Sequence, residues 1–351
     1  MATVRYGIIG SGKITYSSAG AINKFDQSEV ITAWDPHEGR KLDLCKEHNI
    51  PTPAATAEEL LTNPDVDVVY VAVPNKFHAS WAIEAIKAGK HVILDKPFAL
   101  NIDEANAVVA QAQKSDKLFA LGMNQRFADS CQKIKTLVDK GLLGDIYHAK
   151  AFWRRRAGIP RLQTWFGAAE LAGGGALLDI GVHMLDLCLH TIGNFEPESV
   201  SGVTYTQFGQ RGLAEGGWGL SDRDPSLKFT VDDFATALIK LKGGATISLD
   251  AVWACHTGNP CHNVELFGTE AGASLYPAEV YRFSDIAEYD VVKDVKADIK
   301  YKECCRFANF TKAVLGEEEV CTKVEQSLAV QRILDAIYES SKTGHEVRIG
   351  Q

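Results

Sequence analysis

The sequence predicts an α/β domain on a parallel sheet, followed by an α+β domain with a large, mostly antiparallel open sheet. Three observations carry this. Short β-branched runs alternate with helical stretches over the first third of the chain, and strands separated by helices pair in parallel through right-handed crossovers. After about residue 125 the alternation gives way to strands joined by hairpin-like turns such as Lys242-Gly243-Gly244. The length, 351 residues, suits roughly two domains of about 150 residues each.

In chain order, Val4–Ile9, Glu29–Trp34, Val66–Val73, His91–Leu94 and Leu118–Leu121 read as buried strands. They end at Gly10, Asp35, Pro74, Asp95 and Gly122. Ser17–Lys24, Gly39–His48, Ala57–Leu61, His78–Ala88 and Ile102–Lys114 read as the intervening helices. Asn101 suits the N-cap of the last, with Asp103 and Glu104 at the positive end of its dipole. Asp129–Lys140 follows as a helix and Asp145–Trp153 as a strand. Glu170–Thr191 is a glycine break followed by a helix. Ser199–Thr206, Asp233–Leu241, Ala245–Trp253 and Asn263–Gly268 are strands, and Phe208–Leu227 is a polar surface loop. Val324–Ser341 is a final amphipathic helix closed by Gly344.

Composition narrows the function. Lys plus Arg number 37 and Asp plus Glu 45, a net charge of −8. That balance speaks against a nucleic-acid or anionic-membrane binder, which needs clustered basic residues. The eight cysteines are scattered, with no CxxC, so reduced thiols in a cytoplasmic protein are expected. The start lacks a signal-peptide layout, and no uninterrupted apolar run reaches membrane-helix length. Cys255-His256 and Cys261-His262 lack zinc-ligand spacing, so no metal is expected.

Ligands of parallel α/β sheets sit beyond the carboxyl ends of the strands, and the notable residues cluster there. Gly10-Ser11-Gly12 follows a strand and precedes a helix, the context of a Rossmann dinucleotide turn. Its first glycine makes the turn, and its second lets the backbone approach a pyrophosphate resting on the helix N-terminus. The third position is Thr15 instead of Gly or Ala. Asp35 ends the second strand near the expected spacing, where a carboxylate accepts ribose hydroxyls and repels a 2′-phosphate. NAD is therefore favoured. Arg40, with its capacity to hold a phosphate, leaves NADP open. Pro74-Asn75-Lys76-Phe77-His78 faces the same crevice, as does Asp95-Lys96-Pro97. A lysine there can bind a substrate hydroxyl or shuttle a proton.

Gly173-Gly174-Gly175 leads into a helix on which Asp179 and His183, four apart, share a face. The pair can grip a polyol and move a proton. Asp186 is placed to hold the other imidazole nitrogen. In Trp153-Arg154-Arg155-Arg156, strand alternation puts Trp153 and Arg155 on one face and Arg154 on the other. An aromatic suits a pyranose, and an arginine suits hydroxyls, a carboxylate or a phosphate.

Together these motifs resemble the Gfo/Idh/MocA oxidoreductases, a family that includes glucose–fructose oxidoreductase and inositol dehydrogenase. The most specific stretch runs from Pro74-Asn75-Lys76-Phe77-His78-Ala79 through Ala88-Gly89-Lys90-His91 to Asp95-Lys96-Pro97, where the family's usual Glu-Lys-Pro has become Asp-Lys-Pro. Gly173–Asp186 looks like the second family motif, and Asn124-Gln125-Arg126-Phe127 and Ala329–Ile337 also fit. The resemblance implies a Rossmann domain over 1–124 and a substrate-binding and oligomerisation domain over 125–351, with the last helix packing back on the first domain. It also implies hydride transfer between a sugar, glycoside (at C3) or cyclitol carbinol and NAD. Lys96, Asp179 and His183 would line the reacting carbon. Gly10, Ser11, Gly12, Lys13, Ile14, Asp35, Arg40, Pro74, Asn75, His78, Asp95, Lys96, Asn124 and Trp165 would hold the cofactor. Arg126, Trp153 and Arg155 would join the catalytic trio around the substrate, and the open sheet would pair subunits into dimers or tetramers. Two other readings stay open on the same fold: an NAD-dependent glycosidase using transient oxidation, and a sugar- or cofactor-sensing regulator.

Overall fold

The computed structural model describes residues 2–219, 221–283, 290–293 and 295–350. Leu220, inside the expected 208–227 loop, lies outside them.

The first sheet comprises β1 (Val4–Ile9), β2 (Ser28–Trp34), β3 (Thr52–Pro53), β4 (Val68–Val71), β5 (His91–Leu94) and β6 (Phe119–Leu121). All neighbours are parallel, in the order β3-β2-β1-β4-β5-β6. This is the doubly wound dinucleotide order, in which the order of strand addition reverses between β1 and β4 and opens a crevice there. The two-residue edge strand β3 was not expected. Its Pro53 has no N–H to donate, which suits an edge.

Helices α1 (Lys13–Asn23), α2 (Glu38–His48), α3 (Ala57–Thr62), α4 (His78–Lys87) and α5 (Ile102–Ala112) make the crossovers. Strand alternation divides their packing. Tyr6 and Ile8 of β1 and Tyr70 of β4 face the α1 side, whereas Ile9, Val69 and Val71 face α3, α4 and α5. Helix α1 starts four residues before the expected Ser17, because the Thr15 hydroxyl and amide both return to the Gly12 carbonyl and close the first turn. Asn101 caps α5 as anticipated, its side chain accepting from the Glu104 amide at 3.0 Å.

The second sheet has nine strands: β7 (Ile146–Arg154), β8 (Pro197–Tyr205), β9 (Phe234–Leu241), β10 (Thr246–Val252), β11 (Cys261–Gly268), β12 (Gly272–Ser274), β13 (Glu279–Arg282), β14 (Asp290–Val292) and β15 (Val347–Arg348). Their order is β14-β13-β12-β11-β7-β10-β9-β8-β15, antiparallel except for the β7–β10 pair. One face buries Ala149, Ala151, Ile247, Leu249 and Ala251 in the core that also holds the helix layer. That layer includes α6 (Asp129–Asp139), α7 (Ala169–Ala172), a π-helical turn at Leu177–Gly181 and α8 (Val182–Ile192). The stretch Ala169–Ile192 has a mean hydropathy of 1.3 over its most apolar window, 78% of which is buried inside the fold. It is a core element with protein on its flanks.

Two late helices tie the halves together. Helix α9 (Arg306–Val314), absent from the sequence reading, returns to the first sheet. There Phe307 and Phe310 join the cluster of Tyr6, Ile8 and Tyr70. Helix α10 (Val324–Thr343) lies along β8 and also reaches α5, where Asp335 accepts from the Ile102 amide at 2.6 Å. Gly344 ends it in the left-handed conformation, as expected.

Candidate active site

The turn after β1 has the geometry a pyrophosphate needs. Gly10 has φ +106°, and a Cβ there would lie 2.2 Å from the Ala72 carbonyl oxygen, so only glycine fits. A Cβ on Gly12 would meet nothing within 4 Å, which leaves the approach to the α1 N-terminus open. Ser11 Oγ is buried without a partner among the described residues. Lys13 and Ile14 are exposed on the first turn of α1. Asp35 accepts from the Ser11 amide at 2.7 Å and from the His37 amide at 2.7 Å, which fixes its carboxylate beside the turn. Each oxygen keeps a lone pair for a ribose hydroxyl. Arg40, expected to hold a phosphate, is instead engaged by Asp222 from the loop before β9.

Three further residues expected at the cofactor are buried and bonded within the fold. His78 is 1% exposed, with its ring nitrogens 2.6 Å from the Pro97 carbonyl and 2.9 Å from the Val73 carbonyl. It clamps the ends of β4 and β5 together. Asn75, also buried, donates to the Ala172 carbonyl at 2.8 Å and links the first domain to α7. Asp95 accepts from Arg306 at 2.8 Å, from the Tyr70 hydroxyl at 3.2 Å and from the Lys96 amide at 3.1 Å. Burial disfavours its charge, but Arg306 and Lys96 outweigh that and hold its carboxyl below the ordinary range. Pro74 is half-buried, and Asn124 is exposed just beyond β6.

The adjoining lysine turns the other way. Lys96 Nζ donates to Asp179 Oδ1 at 2.7 Å and to the Asp179 carbonyl at 2.9 Å. Asp179 Oδ2 accepts from Trp253 Nε1 at 2.8 Å. Burial works against the Asp179 charge, yet Lys96 and Trp253 keep its carboxyl below the ordinary range. Asp179 sits in the π-helical turn, a local widening common at functional sites. The glycines before it permit the approach. A Cβ on Gly175 would lie 1.8 Å from the Asp232 carbonyl, and one on Gly174 would lie 2.0 Å from the Tyr338 hydroxyl. Asp232 then receives the Gly175 and Leu177 amides at 2.7 and 2.9 Å and the Tyr338 hydroxyl at 2.7 Å. Trp253, Asp232, Tyr338 and Arg306 escaped the sequence reading. An aspartate closing a polar loop and a tryptophan ending a strand were the available signals.

His183 opens α8 one turn after Asp179. Its Nδ1 is buried without a partner among the described residues. Burial, followed by the Lys96 charge, lowers its pKa to about 3, so the imidazole is neutral at physiological pH. Asp186 does not hold it. That carboxylate pairs with Arg126 through bonds of 2.8 and 2.5 Å. Arg126, expected at the substrate, is 0% exposed, and its remaining donor meets the Cys321 carbonyl and Gln326. It braces α8 against α10.

Trp153 and Arg155 share a face, as strand alternation requires. The Trp153 ring lies 6.3 Å from the His183 ring, and the Arg155 guanidinium sits 4.6 Å over Trp153. Arg154 lies instead over Phe152, and Arg156 donates to the Thr257 carbonyl. Trp165 stacks on Phe166 at 3.8 Å and donates to Ser221 at 3.1 Å. Among the described residues no three His, Cys, Asp or Glu side chains group to hold a metal.

A family description of NAD-binding Rossmann-fold oxidoreductases matches residues 4–123, and one of the Gfo/Idh/MocA C-terminal domain matches 131–274. The chain belongs to the Gfo/Idh/MocA oxidoreductase family. D-glucoside 3-dehydrogenase of Escherichia coli K12 is 28% identical over 350 residues, 99% of this chain and 97% of that protein. A putative UDP-kanosamine synthase oxidoreductase subunit of Amycolatopsis mediterranei is 33% identical over 247 residues, 70% of this chain and 67% of that one. The solved structure of levoglucosan dehydrogenase with NADH and levoglucosan aligns at TM-score 0.84 and 22% identity, covering 99% of this chain and 100% of that one. At that identity the likeness establishes the shared fold. This Gfo/Idh/MocA protein is thus an oxidoreductase with an NAD-binding domain, acting on a CH–OH group.

Proposed function

We propose that the protein oxidises a secondary hydroxyl of a glycoside or related sugar, at C3 by analogy with its relative of matching length. The observation that carries this is the Lys96–Asp179 clasp at the carboxyl end of β5, with a neutral His183 one helical turn beyond. NAD, when bound, supplies the hydride acceptor. Gly10, Ser11 and Gly12 would cradle its pyrophosphate, and Asp35 its ribose. His183, uncharged before reaction, accepts the hydroxyl proton as the C–H bond breaks. The Lys96 ammonium stabilises the developing alkoxide. Asp179 orients that ammonium and takes a neighbouring hydroxyl of the sugar.

Residues 1–124 serve the cofactor in this reading, and 125–351 serve the substrate. A second copy would cover the outer face of the nine-stranded sheet, where Phe152 is partly exposed and Leu238 is 44% exposed. Light scattering measures that assembly.

Incubation with NAD and a panel of glucosides, inositols and anhydrosugars tests the activity. NADH formation supports a dehydrogenase. Aglycone release without net NADH would indicate a glycosidase instead, and cofactor binding with neither outcome a sensor.

A further inference from the structure

Arg155 is a cation in a built slot with little to neutralise it. Its guanidinium lies 4.6 Å over Trp153 and 5.2 Å over Trp218. Gly158 leaves room for its stem, since a Cβ there would lie 2.3 Å from Arg155 Cδ. Trp218 is held in place by its indole N–H, which donates to the Gly158 carbonyl at 2.9 Å. Indole rings within cation–π reach attract a guanidinium to their faces and leave its edge donors as the reactive rim. Of those donors, one makes a long contact of 3.5 Å to the Gly158 carbonyl, and among the described residues no carboxylate pairs with the group. The carboxylate acting on it electrostatically is Asp179, and Asp179 is already matched by Lys96.

The other carboxylate beside His183, Asp95, is paired with Arg306, so Lys96 and Arg155 are left to share Asp179, and a partly desolvated cation without a counter-charge is costly. A sugar hydroxyl offers a dipole, which does not neutralise the charge. A carboxylate or phosphate does so and accepts two parallel N–H bonds from the guanidinium rim. We infer that the substrate carries an oxyanion on a carbon away from the oxidised one, read edge-on by Arg155 between Trp153 and Trp218. This rests on the dehydrogenase reading above and narrows its substrate to sugar acids or sugar phosphates.

The test measures NADH formation with neutral methyl glycosides, the matching uronates and the matching 6-phosphates, in the gluco and galacto series. The wild type is expected to favour one oxyanion-bearing series over the neutral one by about tenfold or more in kcat/KM, the scale of a charge-assisted contact. Which series wins separates carboxylate from phosphate. In Arg155→Met that preference should fall by about tenfold to a hundredfold. In Arg155→Lys, which keeps the charge but loses the fork, it should fall by less, and this variant stands in if the first does not fold. Equal kcat/KM on all three series in the wild type, or a preference that survives Arg155→Met, overturns the inference while leaving the dehydrogenase intact. No NADH from any of them overturns the underlying reading.

Discussion

Lys96 follows β5 of the first sheet and Asp179 sits in the π-helical turn before α8 of the second domain, and the two meet through a 2.7 Å ion pair and a 2.9 Å bond to the Asp179 carbonyl. The contact spans 83 residues of sequence and joins the expected cofactor half to the expected substrate half. Both side chains are largely buried, at 18% and 12% exposure. The ammonium is thus oriented before any ligand arrives, which is how a fixed charge lowers a barrier.

Removing the orienting carboxylate should show this. Asp179→Asn keeps the size and an acceptor but loses the charge. We expect kcat to fall by about a hundredfold, with cofactor affinity nearly unchanged. Trp253→Phe, which removes one N–H donor to Asp179, should produce a smaller loss in the same direction. Steady-state kinetics alongside NAD titration separates the two parameters.

The pH dependence follows from His183. Its pKa moves from an ordinary 6.5 to about 3 in the folded chain. Below pH 6.5 the unfolded state binds a proton that the folded state refuses. Stability from this group is therefore complete above 6.5 and declines as pH falls toward 3. Urea midpoints across that window should drop in the wild type and drop less in His183→Gln. In the free enzyme, kcat/KM should show no inflection near 6.5 from this residue.

The Arg126–Asp186 pair is a structural prediction. Both side chains are buried, at 0% and 1% exposure, so removing one partner strands the other charge. Arg126→Met should destabilise the protein by about 3–5 kcal/mol. The double replacement Arg126→Met with Asp186→Leu should recover part of that loss. Denaturant titration of the three variants measures the coupling.

Cofactor choice should depend on Asp35. Replacement by Ser removes the carboxylate that would repel a 2′-phosphate. NAD affinity should fall and the NADP to NAD ratio should rise, read by fluorescence titration. Arg40 is engaged by Asp222, so Asp222→Asn together with Asp35→Ser should shift the ratio further than either alone.

Much of this was legible in the chain, for local reasons. The bounds of β1 and β5 follow from apolar runs cut by Gly10 and Asp95. The shared face of Trp153 and Arg155 follows from strand alternation. What escaped depends on distant partners. Arg126 follows a strand end just as a ligand-binding arginine would, and only the fold reveals Asp186 beneath it. Asp95 and His78 lie at the crevice in sequence but turn inward to Arg306 and to the Pro97 and Val73 carbonyls. Arg306 itself arrives from far along the chain, with no local motif to announce it. The strands β12 to β15 span two to four residues each, too short for a periodicity to emerge.

The central claim is that Lys96 acts on the reacting oxygen and not on the cofactor. Lys96→Ala with NAD and an oxidisable sugar tests it directly. Turnover should fall by at least about a hundredfold while NADH still binds with nearly wild-type affinity. Wild-type turnover in that variant, or loss of NADH binding in a folded protein, would contradict it.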